Sequence, residues 1–293
     1  MVQKSLALVG VALVLHGFAQ AAHAGSATAA SGAAKLPVDP PSSAWAAQGQ
    51  LGFLMARGNT STNSGNASFD AAHLTGRWTL SGGFAALYAS TAHVTTEQDL
   101  NGRFQADLEL SPRTFWFGTA RYDRNLFSGF AYQESVASGA GFNFVQTPAT
   151  QLSAELGVGW RREEPELLVK DGLGTIVSRT REPVVNDAVL HAALKFEHSI
   201  TATTKVMNTV LVEAGSSDTL TTDNLSLQVK VDESLALSLG MQLRNNTNPP
   251  PGAAKHTDTV MTVNLVYALK NSKLSPTATT PLLSDLNLLS NLP

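Results

Sequence analysis

The chain contains no cysteine, which excludes a disulfide framework, a thiolate zinc site, an iron–sulfur cluster and an acylated N-terminal cysteine of the lipoprotein type. Charge is scarce as well: 15% of the 293 residues are Asp, Glu, Lys or Arg, against about 25% in ordinary soluble domains. Neither sign prevails. With 20 basic and 23 acidic residues the formal net charge is −3, so the basic surface that phosphate contacts require is missing and no nucleic-acid partner is expected. The motifs G-x-S-x-G, H-E-x-x-H and G-x-x-x-x-G-K-[ST] are absent, and His73, His93, His191, His198 and His256 are scattered. Neither an enzyme, a metal site nor a cofactor is therefore expected. Past the N-terminal segment, no apolar run approaches the roughly 20 residues that a spanning helix needs.

That N-terminal segment reads as an address. Met1-Val2-Gln3-Lys4 supplies a positive charge, Ser5 to Leu15 is almost uninterrupted apolar sequence, and Ala22-His23-Ala24 offers a small-x-small cleavage site. These features predict a signal peptide over residues 1–24 and export. Residues 25–44 have little to bury and read as a flexible leader, and residues 270–293, broken by Pro276, Pro281 and Pro293, as a disordered tail.

Between them, residues 45–269 carry a period of two. Leu100, Gly102, Phe104, Ala106, Leu108 and Leu110 alternate with Asp99, Asn101, Arg103, Gln105, Asp107 and Glu109. Leu235, Leu237, Leu239, Met241 and Leu243 alternate in the same way with Ser234, Ala236, Ser238, Gly240, Gln242 and Arg244. One face is greasy and the other wet, as in a half-buried strand. Such segments fall near 47–57, 62–73, 76–89, 97–110, 114–124, 134–146, 150–162, 185–198, 204–214, 222–232, 234–245 and 257–269. They match the roughly 9–11 residues with which a tilted strand crosses a bilayer better than the 5–6 of a soluble sandwich. The expected fold is all-β, an antiparallel outer-membrane β-barrel of about 12 strands, because only a closed barrel pairs every backbone group in lipid.

The links support that count. Those after even strands are tight, for example Ser111-Pro112-Arg113 and Thr147-Pro148-Ala149, and those after odd strands tend to be longer: Ser90 to Thr96, Asn125 to Gln133, Glu163 to Val184, Gly215 to Thr221 and Asn246 to His256, with Gly58-Asn59-Thr60-Ser61 the short exception. This predicts short periplasmic turns and long outer loops. Glu163-Glu164-Pro165-Glu166 reads as solvated loop. A hairpin signal at Lys170-Asp171-Gly172 leaves open a protruding extension or an added pair that would make 14 strands. Trp78, Trp116, Trp160 and Tyr122 are expected to form aromatic girdles.

Three passages resemble a known family: GFLMARGNTSTN at Gly52 to Asn63, RTFWFGTARYD at Arg113 to Asp123 followed by SGAGF at Ser138 to Phe142, and ELGVGWRRE at Glu155 to Glu163. They are similar to domain-of-unknown-function family 481, the salt-induced outer-membrane protein family, and DTVMTVNLVYAL at Asp258 to Leu269 is similar to its last strand. The resemblance implies an outer-membrane barrel of Gram-negative bacteria, with a link to salt or envelope stress and no established activity.

Function would be written on the inward face. Following the alternation inward gives Arg103, Asp107, Glu109, Arg121, Asp123, Glu155, Arg161, Asp187, His191, Lys195, Glu197, Lys230, Asp232 and Arg244. With both signs present, these groups either pair and seal the lumen or line a narrow polar path. Asp187 and Lys195 are expected to flank His191. The expected function is structural or that of a narrow passive channel for small polar solutes, the alternative being an outer-membrane enzyme acting on lipid or lipopolysaccharide. Expected partners are outer-membrane lipid, lipopolysaccharide and the barrel-assembly machinery, for a monomer.

Overall fold

The computed structural model describes residues 43–56, 62–92, 94–171, 176–250 and 256–270. The expected signal peptide, the link Gly58 to Ser61, His93, all of the expected tail except Lys270 and all but the last two residues of the expected leader lie outside them. The strands are β1 (Ser43–Ala56), β2 (Thr62–Thr75), β3 (Trp78–Thr91), β4 (Val94–Ser111), β5 (Thr114–Asn125), β6 (Phe130–Gln146), β7 (Thr150–Lys170), β8 (Ile176–Arg181), β9 (Val185–Ser199), β10 (Thr204–Ala214), β11 (Thr219–Lys230), β12 (Leu235–Asn246) and β13 (Thr257–Lys270). Ser43 and Ala44, placed in the leader by sequence, already belong to β1.

Twelve of these strands form a closed antiparallel ring, β1 through β7 in order and then β9 through β13, with β13 returning to β1 through Ala46↔Lys270 to Leu51↔Leu265. β8 stands outside the ring. It pairs only with the far end of β7, from Glu166↔Arg181 to Lys170↔Ile176, so the hairpin signal marks a protruding ribbon rather than a thirteenth and fourteenth wall strand. Pro165 belongs to β7 instead of a loop. It lies opposite Phe130, where the β6–β7 register shifts, a place where a residue without an N–H is tolerated.

Several expected long links shrink in the same way. β3 runs to Thr91 and β4 starts at Val94, while β5 ends at Asn125 and β6 begins at Phe130. At the other end, one side-chain oxygen caps four of the five tight turns. Ser111 accepts from the Thr114 N–H at 3.1 Å, Thr147 from Thr150 at 2.9 Å, Thr201 from Thr204 at 3.0 Å, and Asp232 from Ser234 and Leu235 at 2.7 Å each. These are Asx- and ST-turns, in which the side chain replaces a backbone acceptor. Gly76, at φ 57°, supplies the left-handed residue that the two-residue β2–β3 hairpin demands.

Burial is inverted relative to a soluble domain. Asn101, Gln105, Glu155, Asn224, Ser226, Ser238 and Asn264 are buried, whereas Val158 is 72% exposed and Met261 75%. The predicted facing of β4 and β12 is the observed one. Outward rings gather toward both ends: Trp78 and Trp116 meet edge-on at 6.3 Å near the tight turns, and Tyr122 stacks on Tyr132 at 6.4 Å further along. Trp116 also covers Gly118, where an added Cβ would meet the ring at 3.2 Å.

Candidate functional site

The interior of the ring is crossed by side chains rather than left as a bore. Lys195 (β9) pairs with Glu155 (β7) at 2.6 Å. Gln105 (β4) donates to that same carboxylate at 3.0 Å and to Asp107 at 2.9 Å. His191 (β9) stands between two carboxylates, its Nε2 at 3.9 Å from Glu155 and its Nδ1 at 3.6 Å from Glu213 of β10. Glu213 in turn accepts from Ser135 of β6 at 3.0 Å and faces Arg121 of β5 at 3.7 Å, and Arg121 holds Asp123 at 3.1 Å. Strands β4 and β7, or β5 and β10, are not neighbours in the ring, so these contacts span the lumen.

A second knot lies toward the long-link end. Arg161 of β7 pairs with Asp218, which the β10–β11 link turns inward, and with Glu163 at 3.5 Å. Gln133 donates to Glu163 at 3.0 Å and accepts from Arg244. Arg161 is 1% exposed and Phe117, whose ring lies 5.3 Å from that of His191, is 0% exposed. Charges taken out of water to this degree are costly unless paired, which explains why opposite signs meet throughout. Gly139 faces Gly157 across β6–β7, and an added Cβ at Gly157 would come within 2.8 Å of the Ser138 backbone. The missing side chains let these strands approach beside His191.

Of the residues predicted from sequence, Asp107, Arg121, Asp123, Glu155, His191 and Lys195 share the central network, and Arg244 joins the second knot. Arg103 is separate, interacting electrostatically with buried Asp70. Asp187 does not join His191. Its carboxylate accepts from the Ser216 and Ser217 hydroxyls at 2.8 Å and from the Ser217 N–H at 3.0 Å, tying down the β10–β11 link. Lys230 has the inward parity but is exposed at the end of β11 beside the tight turns. Glu213, Gln133, Ser135 and Asp218 were missed, and Gln105, which the alternation places on the polar face, was not singled out. In β10 the inward row mixes Met207 and Glu213, both buried, while Asn208 pairs with Asp223 at 2.6 Å, so polarity does not alternate there. Inward parity was the remaining signal for Glu213.

Below the network, at the tight-turn end, a cavity of about 400 Å³ is lined by Asp107, Glu155 and Lys195 at its polar floor and by Phe115, Val145, Leu152 and Met207 among its walls.

The model of the family described as Protein of unknown function, DUF481, matches residues 49–269. The chain belongs to this family. The uncharacterized protein YdiY of Escherichia coli strain K12 is 23% identical over 236 residues, spanning 79% of this chain and 86% of that protein. Among solved structures, the translocator domain of the autotransporter NalP from Neisseria meningitidis matches at 13% identity and a TM-score of 0.43, over 80% of this chain and 91% of that one. An outer-membrane channel from Pseudomonas putida F1 matches at 12% identity and a TM-score of 0.42, over 79% and 100%.

Proposed function

We propose that the protein is an integral outer-membrane barrel that serves as a narrow passive channel for small polar solutes, with a waist normally closed by ion pairs. The apolar outer face supports membrane insertion, since an exposed belt of this extent is otherwise an aggregation liability. The observation that carries the channel reading is the polar network spanning the lumen. A purely structural barrel could fill its interior with compact side chains, whereas here Arg121 and Glu213 meet at 3.7 Å from opposite walls, a contact that side-chain rotation can break without unfolding a strand. The reading involves no catalytic step and no cofactor. Lipid and lipopolysaccharide are its surroundings, and the family's salt-induced label extends the role to salt or envelope stress.

Refolded full-length protein in a planar bilayer should show small, infrequent conductance steps, and Glu213→Ala should enlarge them several-fold by releasing Arg121 and Ser135. Absence of current from both proteins would overturn the channel and leave a structural role.

A further inference from the structure

Resting on that reading, we infer that His191 sets the ionic preference of the waist, through a proton shared between the fields of Glu155 and Glu213.

Both imidazole nitrogens face a carboxylate, Nε2 toward Glu155 at 3.9 Å and Nδ1 toward Glu213 at 3.6 Å. A neutral imidazole has one N–H and one lone pair, so one of the two carboxylates would face a lone pair; only the imidazolium offers a donor to each. The lateral register fixes this arrangement, because His191 lies directly opposite Glu213 on one side and Gly157 on the other. The absent Gly157 side chain leaves Glu155, two residues away, as the carboxylate that reaches the ring from β7. Phe117 of β5 closes the ring's remaining side.

The charged groups around His191 come from every wall packed on it. β7 contributes Glu155 and Arg161, β10 contributes Glu213, β5 contributes Arg121 with Asp123, and β9 itself carries Lys195 and Asp187, the latter committed to Ser216 and Ser217. Along the run Lys195, Glu155, His191, Glu213, Arg121 and Asp123 the signs alternate, and they balance only while His191 carries its proton. Loss of that proton leaves one carboxylate in excess and two glutamates side by side. The same two carboxylates anchor the cross-lumen bonds from Gln105 and Ser135, so their repulsion also loosens the bridge. Asp107 at the cavity below extends the negative path. The protonated waist is therefore balanced and closed, and the neutral one admits cations.

The test uses the full chain, refolded and placed in planar bilayers under a potassium chloride gradient, with pH stepped from about 5 to about 8.5, the range over which histidine titrates. Wild type should pass little current at the acidic end and several-fold more at the alkaline end, with a reversal potential that moves toward potassium. His191→Gln should show the alkaline behaviour at every pH, and His191→Lys the acidic behaviour. An unchanged pH response in His191→Gln, or an open cation-selective pore in His191→Lys, would overturn the inference. If no protein conducts at any pH, the channel reading fails by itself, and thermal unfolding still decides the latch. Stabilisation by the imidazolium is present at low pH and lost as pH rises through its titration, so the wild-type midpoint should fall toward alkaline pH while that of His191→Gln stays flat. Parallel midpoints in the two proteins would refute the latch.

Discussion

Arg161 and Asp218 form an ion pair inside the barrel mouth, one from the wall strand β7 and the other from the four-residue link between β10 and β11. The link is drawn inward because Asp187 holds Ser216 and Ser217 from β9, which leaves Asp218 aimed at the guanidinium. Removing one partner of a buried pair strands the other charge, a loss of about 3–5 kcal/mol. Glu163 stays beside Arg161 at 3.5 Å, so Asp218→Ala should destabilise the barrel by about 3 kcal/mol, at the lower end of that range. Urea unfolding in detergent measures it. Arg161→Leu combined with Asp218→Ala should recover much of the loss, and additive damage in the double variant would show that the pair is not coupled.

The two faces of β7 should respond oppositely to the same charge. Leu156 is 60% exposed on the apolar side near the middle of the strand, where arginine against lipid costs about 2–4 kcal/mol. Gln151 lines the 400 Å³ cavity from the same strand and lies opposite Glu197, where an added guanidinium meets a carboxylate, so Gln151→Arg should change stability by about 0.5 kcal/mol or less. Heat-modifiable migration in detergent gels separates the outcomes: Leu156→Arg should lose the compact band at a lower temperature, and equal shifts would contradict the assigned facing.

Much of the wall was legible because a strand between lipid and a polar lumen must alternate, as β4 and β12 do. Legibility ended where that contrast ended. Toward the long-link end the contrast between an apolar and a polar face is lost, so Val94 and Thr95 of β4 and Glu163 to Glu166 of β7 look like loop although they pair in strands. The partners inside the lumen were illegible for a different reason. Parity puts Arg121 and Glu155 inside, but whether Arg121 meets Glu213 or Asp187 depends on how the closed ring sets β5 against β10. No local pattern encodes that. Lys230 shows the converse error, since its parity is inward but its position at the end of β11 leaves it outside the crossed part of the lumen.

The Asp232 turn should confer an acid-sensitive margin. Its carboxylate accepts two backbone N–H bonds, from Ser234 and Leu235, which hold its pKa below the usual aspartate value. A depressed folded pKa contributes stability above the unfolded value of about 3.9 that is lost as pH falls through the folded one. Asp232→Ala should therefore unfold at a lower temperature than wild type near neutrality, with the gap closing as the solution is acidified below the ordinary aspartate range. Asp232→Asn, which still presents an acceptor oxygen, should retain more of the midpoint than the alanine variant. A gap independent of pH would mean that the charged acceptor does not stabilise the turn.

Closure of the ring sets the last expectation. β1 meets β2 along its whole length, from Ser43↔Thr75 to Ala56↔Thr62, but meets β13 only through the six pairs from Ala46↔Lys270 to Leu51↔Leu265. Every pair of that seam lies at or before Lys270, so a chain ended after Lys270 retains the complete set. It should fold into a heat-modifiable, membrane-inserted barrel. A chain ended after Asn264 loses all six pairs and exposes two open strand edges, which cannot be satisfied in hydrocarbon. That chain should fail to insert. Insertion of the shorter chain with normal heat-modifiability would mean that another strand closes the ring, and failure of the longer one would give residues 271–293 a part in assembly that the seam itself does not require.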